Sequence, residues 1–388
     1  MLPIVKMKTP KKFAHPWVFQ RMVERAQGDL KPKNGSIVDL VDPDGSWVAR
    51  GLYNGHSRIS VRILTEDQSE EINEDFFAGR IERAYALRKH VLKLDAITDA
   101  YRLVHSEGDG LSGLVIDKYK DLIVIEYFSS GMYRNHKTIC EVLKKLFAGC
   151  RIYWFAEEHV QKQESIDIRS PALPDPVIVT EHGLQFYVAP GSKHKTGFFC
   201  DQRDNRKYLA ELTRGGSVLD VCCNSGGFGI YAKALGHSKD VTGLDLDEGV
   251  IEIAKKNAKL NNAEMKFVHS DLFPWLRDAA ANNKKWDVVV LDPAKQTRNK
   301  EDVPQALKKY CDMNRSALAV VKPGGIFASF SCTGLVSESE FLESVRRGAY
   351  QAKREVQIFK VTGAAPDHPH QVNVPESRYL KAIWARVW

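Results

Sequence analysis

The stretch Ser217-Val-Leu-Asp-Val-Cys-Cys-Asn-Ser-Gly-Gly-Phe-Gly229 joins a short, continuous apolar run to a glycine-rich turn. A run without polar alternation predicts a strand buried on both faces, which requires helices above and below it. The flanking sequence supplies them. From residue 198 onward, strand-like runs at 217–223, 240–246, 265–271, 286–292 and 324–331 alternate with helical stretches such as 248–262. This alternation predicts an α/β domain with a parallel sheet covered on both sides. In such sheets ligands bind beyond the carboxyl ends of the strands, so the residues that follow each run become the site candidates.

Gly226 and Gly227 allow a tight turn and close backbone approach to a ligand. The GxGxxG spacing of a dinucleotide site is absent. Asp245 follows Gly226 by nineteen residues and ends the second run, where a carboxylate can accept hydrogen bonds from both hydroxyls of a ribose. Asp271 ends the third run, within reach of an adenine edge. Acids at three strand ends without a phosphate loop suit a nucleoside cofactor that carries a cation instead of phosphates, and S-adenosylmethionine is that molecule. Each element alone has a plainer reading: a simple turn for the glycines, and helix caps for Asp245 and Asp271. Together they assign cofactor contacts to Asp220, Asn224, Ser225, Gly226, Asp245, Leu246, Asp271, Leu272 and Asp292.

The fourth run ends in Leu291-Asp-Pro-Ala-Lys295 and the fifth in Ser329-Phe-Ser-Cys-Thr-Gly334. Methylation of an exocyclic amine is often served at the fourth position by an acid or amide, two prolines and a base-stacking aromatic residue. Here Ala294 and Lys295 follow Asp292-Pro293, which weakens that reading. A cysteine beside the pocket suits methylation of a pyrimidine ring carbon. Cytosine C5 is a poor nucleophile until a thiolate adds to C6 and turns the ring into an enamine. The competing reading of Cys332 is a buried structural cysteine at a strand end. For Cys222 and Cys223, in or just after the first strand, core packing is the better reading.

Working outward, β-like runs at 36–41, 47–53 and 59–64 with PDG and NG turns predict a small barrel. Residues 74–94 read as an amphipathic connecting helix. A hairpin over 101–129, a helix over 135–148, the strand RIYWFAE and a hairpin over 177–189 predict an α+β region. The domain expectation is 1–70, 71–190 and 191–388. Residues 1–65 hold eleven Lys+Arg (Lys6, Lys8, Lys11, Lys12, Arg21, Arg25, Lys31, Lys33, Arg50, Arg58, Arg62) against five acids, +6 of the total +7. Such asymmetry points to a polyanion, with a merely soluble surface as the alternative. No uncharged apolar run approaches the ~20 residues of a bilayer span. The start is too short for a signal-peptide core, so the chain reads as cytoplasmic and mature from its first residue. Seven cysteines without a CxxC pair predict reduced thiols and no metal site.

At these residues the chain resembles the bacterial 23S ribosomal RNA cytosine-C5 methyltransferases of the large-subunit methyltransferase I type. His15-Pro-Trp-Val-Phe19 is similar to the entry of that family's N-terminal PUA domain, an RNA-binding barrel. Arg102 to Leu111 with Gly113 resembles its central domain, and Lys195 to Arg206 its lead-in to the catalytic domain. Ser331-Cys-Thr-Gly334 and Asp367-His-Pro369 match further family motifs. Ala294 and Cys200 depart from the pattern. The resemblance implies a PUA barrel, a central α+β domain and a Rossmann-like class I domain that binds S-adenosylmethionine. It implies Cys332 as nucleophile and Asp292 near the target base, with substrate contacts at Phe198, Gln202, Arg203, Arg206, Pro293, Lys295 and His368. The implied partner is 23S rRNA, without a membrane, and a homodimer is left open. Two rivals stay open: the same fold methylating guanine N2, and a non-catalytic RNA-binding or ribosome-assembly factor. A nicotinamide oxidoreductase is remote without GxGxxG.

Overall fold

The computed structural model describes residues 2–12, 14–24, 32–191 and 197–388. Arg25 and Lys31 of the basic segment and Lys195 and Thr196 of the lead-in motif lie outside the described residues. The chain packs as two compact units. One comprises Met1–Val179, Val188–Cys200 and Pro366–Ser377, and the other Thr180–Tyr187, Asp201–Ala365 and Arg378–Trp388.

In the first unit, β-branched runs build β1 (Ile4–Lys6), β2 (Trp17–Phe19), β3 (Ile37–Val41), β4 (Trp47–Tyr53) and β5 (Ile59–Thr65). They form one sheet in the order β1-β3-β4-β5-β2, closing over Val18, Val38, Leu40 and Val61. The three-residue strands β1 and β2 were not anticipated, because so short a run carries too few alternations to read. Gly51 faces β5 so closely that a Cβ would lie 2.2 Å from the Arg62 carbonyl oxygen, which leaves room for glycine alone.

Asn73 caps α1 (Glu74–Ala86) by accepting the Phe76 N–H, and the helix continues as a π turn over 87–91. Then follow β6 (Ala100–His105), β7 (Leu114–Tyr119), β8 (Leu122–Tyr127), α2 (Ser130–Arg134), α3 (His136–Leu146), β9 (Arg151–Phe155) and α4 (Glu158–Glu164). The four strands pair in chain order, with β9 parallel to β8. A two-stranded hairpin, β10 (Val177–Glu181) and β11 (Leu184–Val188), leads onward.

The second unit begins with α5 (Arg203–Thr213), β12 (Val218–Val221), α6 (Gly227–Ala234), β13 (Val241–Asp245), α7 (Glu248–Leu260) and β14 (Lys266–His269). It continues with α8 (Leu272–Ala281), β15 (Trp286–Leu291), α9 (Val303–Leu318), β16 (Val321–Ser331), α10 (Glu338–Gln351), β17 (Val356–Thr362) and β18 (Lys381–Val387). The sheet order is β14-β13-β12-β15-β16-β18-β17. The five strands anticipated from apolar runs are mutually parallel, and β18 lies antiparallel to both β16 and β17. The central β12 is wholly buried, as its continuous apolar pattern requires. The chain order reverses between β12 and β15, so the crevice at their carboxyl ends is the switch point where ligands bind in such sheets. No helix among the described residues is long and apolar enough to cross a membrane.

The basic segment is less cationic outward than its composition indicates. Arg50 pairs with Asp39, Lys11 with Glu66, and buried Arg62 with Glu107 and Glu164 at 3.7 and 3.5 Å. Among the described residues of the segment, the exposed cations are Lys6, Lys8, Lys12, Arg21, Lys33 and Arg58.

Candidate active site

The turn after β12 is built from left-handed residues: Cys222 at φ 63°, Asn224 at φ 48° and Gly226 at φ 82°. Glycine adopts that region freely and asparagine tolerates it, whereas cysteine is strained there by roughly 1 to 2 kcal/mol. The turn is held from the next strand. The Asp245 carboxylate accepts the Asn224 N–H at 2.9 Å through one oxygen and the Asp247 N–H at 3.0 Å through the other. Asp245 therefore braces both loops that rim the crevice, and Asp247, not Asp245, caps α7. Beyond it Leu246 is 66% exposed, an apolar face at the rim. Asp271 caps α8 through the Phe273 N–H at 2.7 Å, so its plainer reading is realised in the structure. Leu272 and Ser225 are half-buried.

Asp220 is fully buried. Its Oδ2 accepts the Gly229 N–H at 3.0 Å, and its Oδ1 has no hydrogen-bond partner. Burial, with help from the Asp245 charge, pushes its carboxyl up to about 7. Asp292 is pushed up to about 8 by burial and by the charges of Asp201 and Asp220. Gln202 Nε2 donates to Asp292 Oδ2 at 3.0 Å, while its Oε1 accepts from Asn205 at 2.7 Å. Gln202, expected as a substrate contact, thus aims Asp292.

Leu291 of β15 pairs with Ser329 of β16, so the residues that follow these two strands are neighbours in the sheet. Cys332 Sγ lies 3.9 Å from the Pro293 carbonyl oxygen, which brings the thiol to the Asp292-Pro293 turn. Around it run fixed hydroxyls. The Ser331 hydroxyl donates to Tyr310 Oη at 3.0 Å, Tyr310 and Thr333 share a 2.8 Å bond, and Thr333 Oγ1 accepts the Gln296 N–H at 3.0 Å. Tyr310 is held up at about 12 by burial. Lys295 is exposed on the same turn. The thiols of Cys222 and Cys223 are pushed above the ordinary cysteine range by burial.

Two of the expected substrate contacts are buried against one carboxylate. Arg203 is 0% exposed, with Nε 3.5 Å from Glu181, and Arg206 pairs with Glu181 at 2.6 Å and is 3% exposed. Their guanidinium groups offer an RNA phosphate no surface in this structure. Arg206 instead underlies the glycine turn: a Cβ on Gly227 would lie 2.9 Å from its Cδ. Glu181, which also accepts the Tyr231 hydroxyl at 2.8 Å, was missed, because a lone acid in a hairpin carries no local signal of its partners.

Phe198 and His368 belong to the first unit. Phe198 is buried, and its carbonyl accepts the Tyr119 hydroxyl at 3.2 Å. His368 bonds Asp367 at 3.1 Å, and its ring lies 5.0 Å from that of His105. Asp367 is anchored in turn by the Arg102 N–H at 3.0 Å and, through its carbonyl, by Arg88. The Asp367-His-Pro369 motif is therefore joined to the central-domain motif.

Residues 10–66 match the family model of a PUA-like domain and residues 212–372 that of a methyltransferase domain. Ribosomal RNA large subunit methyltransferase I of Aeromonas hydrophila is 37% identical over 381 residues, covering 96% of this chain and 95% of its own. The protein of the same name from Shewanella denitrificans is 38% identical over 382 residues, with 96% of each chain covered. Among solved structures, SMU.776, described as a methyltransferase and complexed with SAH, matches with a TM-score of 0.83 at 20% identity over the full length of both chains. A protein from Streptococcus mutans described as SAM-dependent matches at 0.82 and 18%, again over both full lengths. At these identities the structural matches speak for a shared fold.

Proposed function

Since the chain belongs to the ribosomal RNA large subunit methyltransferase I family, we propose that it forms 5-methylcytosine in 23S rRNA through a covalent Cys332 adduct. The coarser activity follows from membership: an S-adenosylmethionine-dependent methyltransferase of large-subunit rRNA with a PUA-like domain and a Rossmann-like catalytic domain. The observation that carries the finer reading is the Cys332 thiol at the Asp292-Pro293 turn, beside the switch point of the sheet.

The residues around the crevice fit the cofactor. Asp245 is the acceptor for ribose hydroxyls, exposed Leu246 offers an apolar face to the adenine, and the unpartnered Asp220 Oδ1 suits a cationic group. We assign the remaining contacts to Asn224, Ser225, Gly226, Asp271 and Leu272. When bound, S-adenosylmethionine supplies an electrophilic methyl group.

The protein prepares the base to receive it. The Cys332 thiolate adds to C6 of a flipped-out cytosine, forming an S–C6 bond while the C5–C6 double bond opens toward C5. Asp292, neutral at pH 7 with a carboxyl at about 8, donates its proton toward N3, where negative charge would otherwise collect. After C5 is methylated, N3 returns its proton to Asp292, a base removes the C5 proton, the C5–C6 double bond re-forms, and the S–C6 bond breaks to return the thiolate. Pro293 and Lys295 flank the base. We keep 1–70 as the RNA-binding barrel, 71–190 as the central domain and 191–388 as the catalytic segment, acting in the cytoplasm.

The test uses full-length protein with rRNA and nucleoside mass spectrometry. Wild type should yield 5-methylcytidine and be trapped covalently by 5-fluorocytidine RNA, since fluorine cannot leave as a proton does. Cys332→Ala should bind cofactor and RNA yet make no product. Methylguanosine as product, or normal turnover by Cys332→Ala, overturns the reading in favour of amine methylation. Absence of cofactor turnover by wild type favours the assembly factor.

A further inference from the structure

One charged group beside Cys332 has no part in the reaction above. Lys381 opens β18, and its Cα partner across the sheet is Ser331, the residue before Cys332. Lys381 is 4% exposed. Its Nζ donates to the Thr333 carbonyl at 2.7 Å and to the Val336 carbonyl at 2.8 Å, the main chain that follows the cysteine. Burying an ammonium is costly unless it is paired, and its neighbours do little to pair it. Glu338, on α10, is engaged by Arg378 at 2.8 Å. Glu340, also on α10, closes the capping box with Ser337. Lys295, the other charged group facing it, carries the same sign.

A fixed cation that holds two carbonyls of the nucleophile's turn is poised to meet a negative charge on the cysteine. Burial holds Lys381 below the ordinary lysine range, at about 8, and the Cys332 charge is the largest influence acting to restore it. The interaction is mutual, so the ammonium favours the thiolate as the thiolate favours the ammonium. On the Cys332 side, Tyr310 is within electrostatic reach of both Cys332 and Asp292, and both acidic partners oppose further negative charge there.

We propose that Lys381 is the positioning residue of the nucleophile, clamping the Thr333–Val336 turn through two carbonyls and favouring the Cys332 thiolate with its charge. This rests on the reading of Cys332 as the attacking group. Lys381 touches neither base nor cofactor in this role, and its effect passes through the thiol. It is invisible in sequence, since a lysine at the head of the apolar strand KAIWARV reads as a strand end turned to solvent.

The full-length protein tests it in three forms: wild type, Lys381→Arg and Lys381→Gln. Alkylation of Cys332 by iodoacetamide is followed by peptide mass spectrometry from pH 6 to pH 10, with thermal unfolding to confirm folding. The alkylation midpoint should rise by about one pH unit in Lys381→Gln, slowing the reaction near pH 7 about tenfold. Lys381→Arg should stay close to wild type. Methylation by Lys381→Gln should lose kcat with little change in KM for RNA, while its alkylation, which does not need a protonated Asp292, should recover as pH is raised. An unmoved alkylation midpoint in a folded Lys381→Gln overturns the proposal. If Lys381→Gln does not fold, a Lys381→Arg profile displaced as far as that of an uncharged residue overturns it equally. Normal turnover by Cys332→Ala is a separate result that removes the nucleophile, while the alkylation profile still decides the charge coupling.

Discussion

Replacing Asp292 by Asn isolates the consequence of keeping a carboxyl neutral at the chemical centre. The substitution preserves shape and leaves an oxygen to accept the 3.0 Å bond from Gln202. It removes one titrating group whose folded value, about 8, lies far above the ordinary carboxylate range because of burial and the charges of Asp201 and Asp220. Between about pH 4 and pH 8 the unfolded chain has already released this proton and the folded one retains it. Wild type therefore has its full contribution below the unfolded value and loses it as pH rises through the folded value, by about 1.4 kcal/mol per pH unit inside the window. Asp292→Asn has no such term. In urea unfolding at pH 6 and pH 7, its stability relative to wild type should improve by about that amount over the one unit. Its methylation should nevertheless fall by roughly a hundredfold or more, since an amide cannot give a proton to N3. Wild-type methylation should fall above pH 8 as the carboxyl ionises. A mutant stability that, relative to wild type, stays flat or falls between pH 6 and pH 7 would mean an ionised Asp292 and would refute the neutral-acid reasoning.

Asp245→Ala removes a charged acceptor that also braces two loops, so affinity for S-adenosylmethionine should weaken by about 1.5 to 3 kcal/mol, roughly ten- to over a hundredfold, in calorimetry. Unchanged affinity would place the ribose elsewhere. Gly226→Ala forces an alanine to φ 82° with its Cβ 3.2 Å from Ala254 Cβ, and should cost about 1 to 2 kcal/mol in urea unfolding. Charge reversal at exposed Lys6, Lys8 and Arg21 should flatten the salt dependence of RNA binding by about two units in log–log slope, read by filter binding across salt, while cofactor affinity stays unchanged. An unaltered slope would remove this face of the barrel from the RNA contact.

Much of the catalytic domain was legible because its signals are local. Continuous apolar runs mark strands buried on both faces, and a glycine turn after the first of them needs only its own residues to be read. Asp220, Asp245, Asp292 and Cys332 were read at strand ends for the same reason, and the family resemblance then implied Cys332 as the nucleophile. What local pattern cannot carry is pairing between distant segments. Arg203 and Arg206 are expected as substrate contacts, yet Glu181, on a separate hairpin, is found against them. Arg50 and Arg62 count as cations in composition and are paired in the fold. Asp367-His-Pro369 lies between β17 and β18 in the chain yet belongs to the first unit, bonded to Arg88 and Arg102. Lys381 meets the turn after Cys332 only because β18 inserts antiparallel between β16 and β17. Periodicity records which face of a segment is buried; which partner buries it depends on sheet order and register, and those are properties of the whole fold.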